Sequence, residues 1–219
     1  MSATVIANLK AYLSDSQLKA WIHDFIIDMR GVDEPEASII LCPPATHLLL
    51  FRELLDENDL SFISLGAQNI SVHEQGAYTG EITAAVVQEV ADYVLLGHSE
   101  RRKFYGETQE AVQKKIDIAQ QYGLLPIVLM EKPEKYKGTI FAVGYEPSSS
   151  IGSGHPEPAS EAYSTMKTIA KNYPDVLTIY GGSIDEANAK EYTAHFNGVL
   201  VGTASEDPHE FVKVIQKTY

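Results

Sequence analysis

The sequence predicts an α/β protein: a single (β/α)8 barrel domain over residues 1–219, with the helix after strand five reduced or missing. Three observations carry this reading. Eight short runs rich in Val, Ile and Leu recur along the chain. Stretches with helical spacing of apolar residues lie between them. No linker or low-complexity segment divides the chain. A doubly wound open sheet is the alternative, because alternation of strands and helices does not by itself show closure.

The strand runs are TVIAN (4–8), SIIL (38–41), FISLG (62–66), YVLLG (93–97), LPIVLM (125–130), IFAVGY (140–145), LTIY (177–180) and GVLVG (198–202). None alternates cleanly with polar residues, so each reads as buried on both faces, as in a parallel sheet. Ser14 is placed to cap a helix in which Leu18, Trp21, Ile22, Phe25 and Met29 share one face. Thr83 is placed to cap a second, lined by Val86, Val87 and Val90. Thr108 heads a third, with Val112, Ile116 and Ala119. Tyr163, Met166, Ile169 and Ala170 mark a fourth. Asp207 before Pro208 starts a fifth, followed by Phe211, Val214 and Ile215. Only residues 131–139 separate strands five and six. A parallel crossover with its helix needs at least about 10–12 residues, so that helix is expected to be absent or a single turn.

Composition narrows the function. With 44% hydrophobic residues the chain can bury a sizeable core, and it has no apolar run long enough to cross a membrane. The net charge of −13 argues against nucleic-acid binding, which needs a basic face. Cys42 is the only cysteine, and the first residues carry no signal-peptide pattern, so a cytoplasmic setting is expected. The seven histidines are scattered, with no pair at ligand spacing, so neither a metal nor another cofactor is expected.

Chemistry on such a barrel sits on the loops that follow the strands. Asn8 and Lys10 follow strand one, and His98 and Glu100 follow strand four. Glu146 and then PSSSIGSG (147–154) follow strand six. GGS (181–183) follows strand seven, and Gly202 and Thr203 follow strand eight. Singly, each has a plain explanation as a surface charge, a structural histidine or a turn. Together, at one end of the strands, they can bind a phosphate, abstract a proton and polarise a carbonyl.

Several of these segments are long and ordered alike: ANLKAY, GAQNISVHEQGAYTGEIT (66–83), VLLGHSERR, GYEPSSSIGSG, YGGS and GVLVGTAS. They resemble the corresponding motifs of the triosephosphate isomerase family, and the likeness runs over nearly the whole chain. The resemblance implies Glu146 as the base and His98 as a neutral electrophile. It implies Lys10 as the cation facing the substrate and the enediolate, with Asn8 orienting the substrate and Glu100 in the same polar cluster. It implies a phosphate held by backbone N–H groups at Gly152, Ser183, Gly202 and Thr203, under a lid formed by GYEPSSSIGSG. The substrate would be a small phosphorylated sugar, with dihydroxyacetone phosphate and glyceraldehyde 3-phosphate leading. A tetrulose phosphate, or a weakly active phosphate-binding barrel, is the alternative. The loop HEQGAYTGE (73–81) implies a homodimer. An apolar strip bared at 131–139 would allow a tetramer.

The chain departs from the family pattern in four places. Serine within PSSS replaces the hinge tryptophan, which is expected to leave Glu131 with nothing to hold. The second hinge, HPEP (155–158), carries prolines. Thr203 stands where a second glycine is usual, and its Cβ is expected to crowd the phosphate turn. The helix after strand five is the fourth departure.

Overall fold

Eight parallel strands close into a barrel in chain order, β1 pairing with both β2 and β8. The computed structural model describes residues 2–32 and 35–218. The strands are β1 (Thr4–Asn8), β2 (Ser38–Cys42), β3 (Ser64–Ala67), β4 (Tyr93–Leu96), β5 (Leu125–Met130), β6 (Ala142–Tyr145), β7 (Leu177–Tyr180) and β8 (Gly198–Val201). Closure settles the choice against an open sheet. Strands three and six begin two residues later than their apolar runs, and Phe62 is left exposed before β3.

The eight strands are buried on both faces, as their continuous apolar runs require. Ile6, Ile40, Leu95, Ile127, Leu129 and Ile179 fill the barrel interior, and a second, larger core lies between the barrel and its helices. Gly144 of β6 leaves room for Leu129, whose Cδ2 would stand 2.4 Å from any added Cβ.

The helices are α1 (Asp15–Met29), α2 (Leu48–Glu57), α3 (Ala84–Val87), α4 (Ser99–Tyr105), α5 (Gln109–Gln121), α6 (Ala159–Ala170), α7 (Ala189–Thr193) and α8 (Pro208–Lys217). The expected faces of α1, α5 and α8 are buried. In α6, Met166 and Ile169 are buried while Tyr163 and Ala170 are half-buried. Trp21 stacks on Phe25 and Phe51 and approaches Phe211, which joins α1, α2 and α8. Thr108 Oγ1 accepts from the Ala111 N–H at 3.2 Å, and Asp207 Oδ1 accepts from the His209 N–H at 2.8 Å, so both act as caps. Ser14 caps through Gln17, whose Oε1 accepts from the Ser14 N–H at 2.9 Å.

The segment after Thr83 departs from expectation. It makes one helical turn, Val86 is 60% exposed, and no face of three valines forms. Helices α2, α4 and α7 carry no counterpart in the sequence reading.

Residues 131–139 contain no helix, as the spacing predicts. The expected apolar strip is absent from them. Tyr136 and Ile140 turn inward, and the exposed positions are Glu131, Lys132, Pro133, Lys135, Lys137, Gly138 and Thr139.

Candidate active site

The strand ends bring Asn8, Lys10, His98, Glu146, Gly152, Ser183, Gly202 and Thr203 around one cavity of about 360 Å3. Among the expected site residues only Glu100 lies outside its lining, and it reaches the cavity through Lys10. Its Oε1 accepts from Lys10 Nζ at 2.8 Å.

Lys10 is aimed by its backbone. It is a non-glycine residue at φ +49°, a conformation that costs on the order of 1–3 kcal/mol and persists only where its surroundings impose it. Two contacts impose it. The Lys10 N–H donates to Asn8 Oδ1 at 3.1 Å, and Gln68 Nε2 donates to the Lys10 carbonyl at 2.9 Å. Asn8 thus spends its carbonyl oxygen on holding the turn.

His98 caps α4 and is buried. Its Nδ1 accepts from the Glu100 N–H at 3.2 Å, so a neutral ring would carry its proton on Nε2, the nitrogen that faces Glu146. Glu146 is 2% exposed, its Oε1 lies 3.2 Å from His98 Nε2, and its Oε2 accepts from the Ser99 N–H at 3.0 Å. Gly181 makes this seat possible: an added Cβ would stand 3.2 Å from Glu146 Cγ.

Opposite these groups, backbone lines the cavity. Gly152 has φ +66° and Ser183 φ +50°. Ser183 Oγ donates to the Ser150 carbonyl at 2.6 Å and accepts from the Gly154 N–H at 3.1 Å, which pins the lid segment to the loop after β7. Successive N–H groups in such turns form a concave seat for an anion. Thr203 opens a short helical turn, Thr203–Ser205, is not at positive φ, and is exposed. Its backbone therefore carries no left-handed strain, although the residue lines the cavity.

The family model described as triosephosphate isomerase matches residues 3–218. The chain belongs to the triosephosphate isomerase family. It is 34% identical over 250 residues to a triosephosphate isomerase of Aquifex aeolicus, covering 98% of this chain and 99% of that one. It is 37% identical over 210 residues to one from Dehalococcoides mccartyi, covering 81% and 82%. It is 32% identical over 242 residues to one from Trichormus variabilis, covering 98% and 99%.

Against the family pattern, the lid hinges are built differently from expectation. Glu131 does have something to hold: its Oε1 accepts from the Ser148 hydroxyl at 2.6 Å and from the Ser148 N–H at 3.3 Å. A serine is short, but Ser148 lies close enough for its hydroxyl to take the bond directly. The second hinge is fixed by three tyrosines. Glu157 donates its N–H to Tyr180 Oη at 3.1 Å, accepts from Tyr145 at 2.8 Å, and its carbonyl accepts from Tyr192. Burial, reinforced by the Glu157 carboxylate, pushes the Tyr145 phenol up, so it stays a donor.

Several contributors escape sequence reasoning. Gln68 sits within the motif-bearing segment 66–83, but only the fold shows that it braces Lys10. Ser99 seats Glu146 through its backbone, which no side-chain pattern reports. Asp185 and Glu210 also line the cavity, and Asp185 Oδ1 accepts from the Ala187 and Asn188 N–H groups. Among the described residues, no helix is long and apolar enough to cross a membrane.

Proposed function

We propose that Glu146, His98 and Lys10 interconvert dihydroxyacetone phosphate and glyceraldehyde 3-phosphate through an enediol(ate). Membership of the family makes the protein an isomerase of triose phosphates. The residue roles rest on one observation: the buried carboxylate, the imidazole and the lysine share a cavity with the N–H-lined loops.

A carbon acid next to a carbonyl is too weak for a carboxylate alone. The base, an electrophile and a cation are needed together, because the enolate oxygen must be stabilised as it forms. In the resting arrangement Glu146 is held by the Ser99 N–H, and it turns to the substrate carbon to take the proton. His98 gives its Nε2 proton to the substrate carbonyl oxygen as the enediol forms and takes the proton of the neighbouring hydroxyl in its place, since Nδ1 is already an acceptor, so one proton passes between the two oxygens. Lys10 Nζ balances the oxygen's growing charge. Glu146 returns the proton to the neighbouring carbon, so the redox change stays within the substrate and requires no electron acceptor. Gly152, Ser183, Gly202 and Thr203 hold the phosphate dianion by backbone N–H groups, which reconciles an anionic substrate with a net charge of −13. The lid excludes water from the enediolate.

The same reading includes a homodimer in the cytoplasm. Residues 74–82 are exposed throughout, with Tyr78 stacked on His73 at a centroid distance of 4.0 Å. A second cavity of about 420 Å3 opens beside Asn8 and Lys10, bounded by Gln68, Ile82, Arg101 and Tyr105. A partner's Tyr78–Thr79 tip suits it in size and would steady the Lys10 turn. Light scattering is expected to show an active dimer, and an active monomer contradicts it.

The function is tested by steady-state assays with triose and tetrulose phosphates. The distance from base to phosphate loop is set by a lid with no insertion between Glu146 and Gly154. A kcat/KM for triose phosphates at least about tenfold higher is expected, roughly 1.4 kcal/mol of transition-state binding. A preference for the four-carbon substrate overturns the assignment.

A further inference from the structure

Both peptide planes that flank the His98 Cα are held by one residue. Arg102 Nε donates to the Gly97 carbonyl at 2.7 Å, and the Arg102 backbone N–H donates to the His98 carbonyl at 3.1 Å. The Gly97 carbonyl belongs to the peptide before His98, and the His98 carbonyl to the peptide after it. Fixing both planes fixes φ and ψ at His98, −51° and 139°, and hence the direction of its Cα–Cβ bond. The guanidinium also bridges to the next strand, Nη2 donating to the Leu129 carbonyl at 3.3 Å. Gly97, at φ +73°, is packed beneath it: an added Cβ would lie 2.8 Å from both Arg102 Nη2 and the Leu129 carbonyl oxygen.

The guanidinium is itself held from the helix-less segment between β5 and β6. Glu134 accepts from Arg102 Nη1 at 3.3 Å and from Nη2 at 3.0 Å, a bidentate pair, and Tyr136 Oη accepts from Nη2 at 3.0 Å. Tyr136 donates its own hydroxyl to Glu134. The segment is anchored in turn to the residues after α6. The Glu134 carbonyl accepts from Tyr173 Oη at 3.0 Å and from Asn172 Nδ2 at 3.2 Å, and the Tyr136 N–H donates to Tyr173 Oη at 3.1 Å. Loss of a helix here lets the chain reach across to α4. A five-donor planar fork is required, because a lysine cannot bond the Gly97 and Leu129 carbonyls and a carboxylate in one plane.

From this geometry we infer that Arg102, clamped by Glu134 and Tyr136, is a positioning residue that sets the catalytic aim of His98. The inference deepens the proposed function and rests on His98 being its electrophile. Arg102 touches no substrate. It acts by holding the imidazole where its Nε2–H meets the substrate oxygen, and a displacement of about 1 Å at such a group can cost on the order of 10²-fold in rate.

The test is a double-mutant cycle on the full chain with triose phosphate. His98→Gln is measured first, and near-wild-type kcat there means that the electrophile assignment itself has failed. With that assignment standing, Arg102→Lys is expected to lower kcat at least about tenfold with KM within about twofold, because the phosphate seat is untouched. Tyr136→Phe, which removes one hydroxyl and keeps the packing, gives a smaller loss of the same kind and serves if Arg102→Lys does not fold. In the His98→Gln background both losses are expected to shrink below about twofold, since there is no imidazole left to aim. Unchanged kcat in the single variants, or an equal loss in the His98→Gln background, overturns the inference and leaves Arg102 a structural residue only.

Discussion

Ser148 and Glu131 join the first lid hinge to the end of β5: the serine hydroxyl donates to the glutamate Oε1 at 2.6 Å, and the serine N–H donates to the same oxygen at 3.3 Å. Both residues are exposed, so the bond contributes little to the stability of the fold. A family member without the hinge tryptophan thus keeps a latch through a shorter side chain.

Ser148→Ala removes the hydroxyl arm and keeps the N–H. The net value of one such bond is about 0.5–1.5 kcal/mol, which corresponds to a fall of roughly two- to tenfold in kcat/KM if the closed lid depends on it. The fraction of turnovers ending in loss of inorganic phosphate is expected to rise, because the enediolate is less well enclosed. Parallel assays of isomerisation and phosphate release check this. Unaltered values in both would mean that the hinge closes without Glu131.

Thr203→Gly is expected to leave KM within about twofold, because the threonine is exposed and its backbone is not at positive φ. The added chain freedom should instead lower stability by about 0.4–1 kcal/mol. Steady-state kinetics and thermal unfolding on the same preparation separate the two effects. A clear drop in KM would restore the crowding that the sequence suggested.

His209 Nδ1 lies 2.6 Å from Asp28 Oδ2, linking α8 to α1. The hydrogen bond and charge of Asp28 raise the His209 pKa above its ordinary value of about 6.5. A raised folded-state pKa stabilises the fold fully below the unfolded value, and that contribution is lost as pH rises through the folded value. Titration of His209 by NMR is expected to give a pKa above 6.5 that falls in Asp28→Asn. A value at or below 6.5 in the wild type would show that the pair does not persist in solution.

The barrel was legible because strands buried on both faces leave unbroken apolar runs, and because residues 131–139 are too few for a crossover helix. Helix α4 was hidden, since HSERRKFY has no apolar stripe and buries none of its helical residues; His98 is its cap. Val86, Val87 and Val90 misled, because their spacing fits a helix that the chain abandons after one turn. Lys10, His98 and Glu146 could be located from motifs at the strand ends. Their orientation could not. It depends on a left-handed lysine, on Gln68 reaching across from 58 positions away, and on Ser99 holding the base by its backbone. Propensity disfavours the first, and the others exist only once distant segments are brought together.

The most direct measurement of the account's central claim is the kcat of Glu146→Gln beside its affinity for a non-reactive phosphate analogue. Glutamine keeps the size of the side chain and can still accept the Ser99 N–H, but it cannot take a proton from carbon. The account predicts a fall in kcat of at least about 10²–10⁴-fold with analogue binding nearly unchanged. Near-full turnover in Glu146→Gln would contradict it.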